Sequence, residues 1–124
     1  MYDKDVVLEI LRSILSATEK IQKKMIVISA PEDFYASEEK QDILDILCMQ
    51  LTAIGEGLKQ VDKLTESRLF ANYPQVDWKG IKGIRDVIAH QYFNVSAEAV
   101  FESCKKDIPL LMESVKTIIN SLIE

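Results

Sequence analysis

Apolar residues recur at intervals of three and four along most of the chain. Between Lys4 and Ser29 they fall at Val7, Ile10, Leu11, Ile14, Leu15, Ile21, Met25 and Ile28. That is the spacing of a helix with one buried stripe, roughly 40 Å long if continuous. Pro31 is expected to end it, with SAPEDFYAS as a connector. Ser37 is placed to cap a second long helix, and Glu38 and Glu39 occupy its first turn, where the helix dipole favours acid. Ile43, Leu44, Ile46, Leu47, Leu51, Ile54, Leu58 and Val61 carry that helix to about Leu64. Gly55 and Gly57 lie inside it, each at a cost of up to about 1 kcal/mol relative to alanine. Close approach of another helix is the packing reason such glycines would have.

The segment TESRLFANYPQV reads as a loop with room for a short helical turn. Asp77 then caps a third helix, Trp78 to about Tyr92, which NVS breaks. Ser96 caps a fourth, short helix through Lys105. Asp107 is the candidate cap of a fifth, Ile108 to Ile123, with Pro109 in its first turn, where proline is tolerated. The fourth and fifth are either separate or one bent helix. No segment alternates with period two over more than a few residues. The expected fold is an all-α antiparallel bundle of four to five helices. No repeat, low-complexity tract or linker interrupts it.

Composition changes this picture little. A chain of 124 residues predicts a single domain over residues 1–124, able to bury a core without staples. Four glycines and three prolines leave few turns, hence long elements. The net charge of −5 and pI near 4.9 exclude a protein that coats nucleic acid through a basic surface, so any contact with RNA must be local. Cys48 and Cys104 lie within apolar helical patterns, and buried free thiols in a reducing compartment are expected. The N-terminal MYDKDVVLEILRSIL is too charged for a signal peptide, and the apolar run MIVISA is too short to span a bilayer. The expectation is a cytoplasmic protein with no membrane association.

The candidate chemistry lies in RDVIAHQYF, Arg85 to Phe93, which holds the one histidine of the chain. At about 100° per residue, Ile81, Ile84, Arg85, Ile88 and Tyr92 share one broad face. Lys79, Lys82, Asp86 and His90 share the opposite one, and the two lysines there are expected to be solvated. Arg85 and His90 are about 140° apart on an ideal helix. The length of arginine, fraying of the last turn, or a second copy of the segment could close that gap. One account of these residues is structural: Arg85 pairs with a carboxylate such as Glu56, His90 interacts with a helix C-terminus, and Tyr92 is core. The other is chemical. No His/Cys/carboxylate cluster has metal-ligand spacing and no phosphate loop is present, so neither metal nor cofactor is expected. An arginine and a histidine suit RNA cleavage by the ribose 2′-OH. Imidazole moves a proton near neutral pH, and guanidinium binds phosphate through two donors. Asp86, four residues before His90, could orient the imidazole. One histidine serves poorly as both acid and base, whereas two facing each other across a dimer would serve.

RDVIAHQY resembles the R-x4-H signature of the HEPN superfamily, and the added tyrosine resembles the HepT-like proteins within it. APEDFYASEE, LTAIGEGLK, YPQVDWKGIKGIRDVIAHQYFNV and VFESCKKDIPLL are similar to that family's blocks in the same order, covering most of Pro31 to Met112. The resemblance implies a homodimeric helical bundle with paired Arg-His motifs in an interface cleft. It also implies a metal-independent endoribonuclease toxin of a toxin–antitoxin system. Carried onto this chain, Arg85 and His90 are the catalytic pair and Asp86 the supporting polar residue. Tyr92 is the tyrosine that a cognate minimal nucleotidyltransferase antitoxin adenylylates. The alternative is a noncatalytic helical module that partners a nucleotidyltransferase or binds nucleotide.

Overall fold

A computed structural model of the chain describes residues 2–90 and 96–124. Every regular element among the described residues is helical: α1 (Lys4–Met25), α2 (Glu38–Leu64), α3 (Trp78–His90), α4 (Ala97–Glu102) and α5 (Ile108–Ile123). α2 packs between α1 and α3, and α1 packs between α2 and α5. The stripes read from the sequence point inward. Leu11, Ile21, Leu47, Leu51, Ile81 and Ile118 are among the fully buried side chains, in one apolar cluster shared by all five helices.

Caps set most of the helix starts. The Asp3 carboxylate accepts from the amides of Asp5 and Val6 at 3.0 and 3.3 Å. Ser37 Oγ accepts from Lys40 N at 3.1 Å, Asp77 Oδ1 from Gly80 N at 3.0 Å, and Ser96 Oγ from Ala99 N at 3.2 Å. Each takes up a donor that the first helical turn leaves unpaired.

Three expectations need correction. Pro31 does not end α1, which stops at Met25. The chain leaves the helix to bury Ile28, whose amide turns back to the Met25 carbonyl at 3.0 Å. Pro31 instead opens a 3-10 turn, Pro31–Tyr35. The Asp33 carboxylate braces the approach, accepting from Ser29 N at 2.7 Å and Ala30 N at 3.2 Å. These two donors hold the Asp33 carboxyl below its ordinary value.

Asp107 caps nothing, because its backbone is already helical and α4 runs into α5 as one bent helix. The join is a π turn, Ser103–Asp107. Proline at 109 cannot donate to the Lys105 carbonyl, and its ring crowds that oxygen; a widened turn just upstream relieves both. Lys82, finally, is not a solvated lysine: it forms a half-buried ion pair with Asp62.

The two α2 glycines have the packing role expected of them. A Cβ on Gly55 would stand 3.1 Å from the Ile81 carbonyl oxygen and 3.4 Å from that of Lys82, both on α3. A Cβ on Gly57 would stand 3.1 Å from the Ile14 side chain on α1. α2 is thus approached closely on two sides at nearly the same level. Among the described residues, no helix is long and apolar enough to cross a membrane.

Candidate functional site

α3 is fixed before it reaches the residues of interest. Trp78, its first residue, stacks on Phe70 with ring centroids 4.1 Å apart, and its indole N–H donates to the Tyr73 carbonyl at 2.8 Å. Asp77 caps the first turn. Ile81 and Ile84 are buried against the core, and the Gly55 backbone lets α3 sit close on α2.

Two cross-helix ion pairs then join α3 to α2. The Lys82 ammonium meets the Asp62 carboxylate, and the Arg85 Nε lies 3.7 Å from Glu56 Oε1. As the numbers rise along α3 they fall along α2, so the two helices are antiparallel. The Arg85 side chain is 50% exposed. It lies on the shoulder of the apolar face rather than in the core, where its neighbours Ile81 and Ile84 point. The other Glu56 oxygen, Oε2, meets Lys59 Nζ at 3.2 Å. One carboxylate is therefore shared by two cations on the open surface between α2 and α3.

Asp86 is exposed, next to Arg85. His90 is the last residue of α3, and its side chain lies outside the described residues, as does the whole of Tyr92. A rise of 1.5 Å per residue puts the Arg85 and His90 positions about 8 Å apart along the axis. Glu56 also lines a groove of about 400 Å³ between α1 and α2, together with Ile10, Ile14 and Ile54. Among the described residues, no group of three or more His, Cys, Asp or Glu side chains is arranged to hold a metal ion.

Sequence reasoning named the Glu56 partner of Arg85 as one option. It missed Lys59 as the second cation on that carboxylate, and Asp62 as the anchor of Lys82. The first was legible as an i,i+3 pair. The second depends on the α2–α3 register, which periodicity alone does not fix.

The described helices form an all-α bundle consistent with a HEPN-like fold, with an R-x4-H sequence closing the third helix. Within that class the chain belongs to the ribonuclease HepT-like family, whose model matches residues 14–118. Among its relatives, "Putative RNase MJ0125" of Methanocaldococcus jannaschii is 34% identical over 79 residues, 64% of this chain and 63% of that protein. "Putative RNase TTE0752" of Caldanaerobacter subterraneus subsp. tengcongensis is 36% identical over 69 residues, 56% of this chain and 58% of that protein. "Putative RNase MJ1216" of Methanocaldococcus jannaschii is 33% identical over 72 residues, 58% of this chain and 56% of that protein. The chain thus spans about three fifths of the length of these three curated relatives. No solved structure matches it significantly.

Proposed function

We propose that the protein is a metal-independent endoribonuclease acting as a single-domain homodimer, with Arg85 and His90 as the catalytic pair. Support comes from membership of the ribonuclease HepT-like family together with an intact Arg85, His90, Tyr92 series. The carrying observation is that Arg85, which follows the buried Ile84 on α3, keeps its side chain half in solvent. A guanidinium there is open to a phosphodiester, which it can grip with paired donors while charge builds on the phosphoryl oxygens.

In this reading the ribose 2′-oxygen attacks the adjacent phosphorus and the P–O5′ bond breaks. One imidazole removes the 2′-OH proton and a second protonates the departing 5′-oxygen. The products are a 2′,3′-cyclic phosphate and a 5′-hydroxyl, and no redox partner is needed. Each chain supplies one histidine, so the second imidazole comes from the other subunit. Asp86, four residues before His90, supports the imidazole. Adenylylation of Tyr92 by a nucleotidyltransferase antitoxin would add bulk and negative charge beside the pair, filling the cleft and repelling RNA phosphate. The protein is then a toxin silenced by its partner in the cytoplasm.

The net charge of −5 favours a second reading, a helical module that partners a nucleotidyltransferase or binds nucleotide without cutting RNA. Purified protein incubated with RNA in EDTA separates the two. Fragments ending in 2′,3′-cyclic phosphate support the ribonuclease. RNA recovered intact, with the nucleotidyltransferase still bound, supports the module.

A further inference from the structure

α2 carries the sequence Ile54-Gly55-Glu56-Gly57, a glutamate between two glycines. Each glycine accommodates a different neighbour. Gly55 faces the Ile81 and Lys82 carbonyls of α3, and Gly57 faces the Ile14 and Ile10 side chains of α1. The backbone of Glu56 is therefore held from both sides, and its carboxylate emerges where Arg85 reaches α2. Its two oxygens have separate cations, Arg85 Nε at 3.7 Å and Lys59 Nζ at 3.2 Å.

We propose that Glu56 is a positioning residue for Arg85: its carboxylate, at ion-pair distance from Nε rather than in a hydrogen bond, draws that edge of the guanidinium toward α2, so that the two Nη groups are presented to an RNA phosphate. This inference rests on the ribonuclease reading above. The guanidinium is planar and rigid, so fixing one edge aims the opposite fork. Contact through Nε keeps the carboxylate away from the pair of donors best shaped for phosphate. Lys59, on the other oxygen, offsets the negative charge that an incoming phosphate would otherwise meet. An arginine half in solvent would sample many rotamers without such an anchor, and each costs ordering when substrate binds. Both partners are about half exposed, so the pair adds little to folding stability. Its effect belongs to the geometry of the site.

The test compares wild type, Glu56→Gln and Glu56→Ala. Glutamine keeps a polar oxygen toward Nε without the charge, whereas alanine keeps neither. In chelator, Glu56→Ala should lower kcat roughly 10- to 100-fold, as expected for a misplaced catalytic group. KM should stay level or fall, because a negative charge beside the phosphate is gone. Glu56→Gln should fall between Glu56→Ala and wild type in kcat, and both variants should melt within about 2 °C of wild type. A kcat for Glu56→Ala within twofold of wild type, or a loss matched by a drop in melting temperature, overturns the proposal.

A second readout does not need cleavage. The Arg85 Nε–H resonance, identified by its loss in Arg85→Lys, should shift in Glu56→Ala relative to wild type. An unchanged resonance overturns the positioning role, whether or not RNA is cut. A shifted resonance in a protein that leaves RNA intact supports the anchor and refutes the ribonuclease reading instead.

Discussion

Adding one methyl group to Gly55 and one to Gly83 should move stability in opposite directions. Both glycines lie inside helices, where alanine is favoured by up to about 1 kcal/mol. At Gly83 an added Cβ meets nothing within 4 Å, so that gain is unopposed. At Gly55 the same atom would stand 3.1 Å from the Ile81 carbonyl oxygen and 3.4 Å from that of Lys82. Those are backbone atoms of a packed helix and cannot swing aside as a side chain can. Forcing extra volume into such a contact costs about 1–3 kcal/mol. Net of the propensity gain, Gly55→Ala should destabilise by about 1 kcal/mol while Gly83→Ala stabilises by up to about 1 kcal/mol. For a chain of this size that is a fall of roughly 3–5 °C against a rise of similar size. Thermal unfolding followed by circular dichroism at 222 nm, at one fixed chain concentration, reads both. Because α3 carries Arg85, the shift in Gly55→Ala should also lengthen the contact with Glu56. A Gly55→Ala protein that melts as high as Gly83→Ala would refute the close α2–α3 approach and the placement of Arg85 derived from it.

Other outcomes follow from the same contacts. The Asp33 carboxyl is held below its ordinary value of 3.8 by the Ser29 and Ala30 amides. Its stabilising contribution is therefore complete above that value and lost as pH falls through the lower folded value. Asp33→Asn should flatten the dependence of stability on pH below about pH 4, and an unchanged slope would contradict the brace. Burial pushes the Cys48 thiol up to about 11 and the Cys104 thiol up to about 12. At pH 8 about a thousandth or less of either is thiolate, so a disulfide reagent should label the native chain far more slowly than free cysteine and label both sites promptly in urea. Fast labelling of a thiol in the native protein would count against that packing. Coexpression with an active nucleotidyltransferase partner should add adenylate mass to the wild type and none to Tyr92→Phe. Equal added mass in both would move the modification elsewhere.

The helical architecture was legible because its signal is repetitive. Positions such as Leu47, Leu51, Ile54 and Leu58 recur at helical spacing, and all four prove buried. Ser37, Asp77 and Ser96 were legible as caps because a short acceptor side chain preceded an apolar run. The glycines of α2 announced close contacts without naming the neighbours. What failed depended on tertiary context. Proline marks where a helix cannot continue, yet α1 ended earlier because Ile28 had a place in the core. Asp107 had the chemistry of a cap but sits inside a continuous bent helix, whose π turn a period of 3.6 does not describe. Lys82 looked solvated on the wheel until the register of α2 supplied Asp62. The R-x4-H-x-Y series pointed to candidate site residues, of which Arg85 and Asp86 have described side chains. Glu56 stood among the options the sequence offered for Arg85; the folded chain selects it and places Lys59 on the same carboxylate.

The central claim is that one imidazole per chain moves a proton during RNA cleavage without a metal ion. The direct measurement is the rate of RNA cleavage in EDTA by wild type and by His90→Ala, with circular dichroism confirming that both are folded. The account expects cleavage by the wild type and a loss of at least about 100-fold in the variant. Cleavage by His90→Ala at the wild-type rate would contradict it.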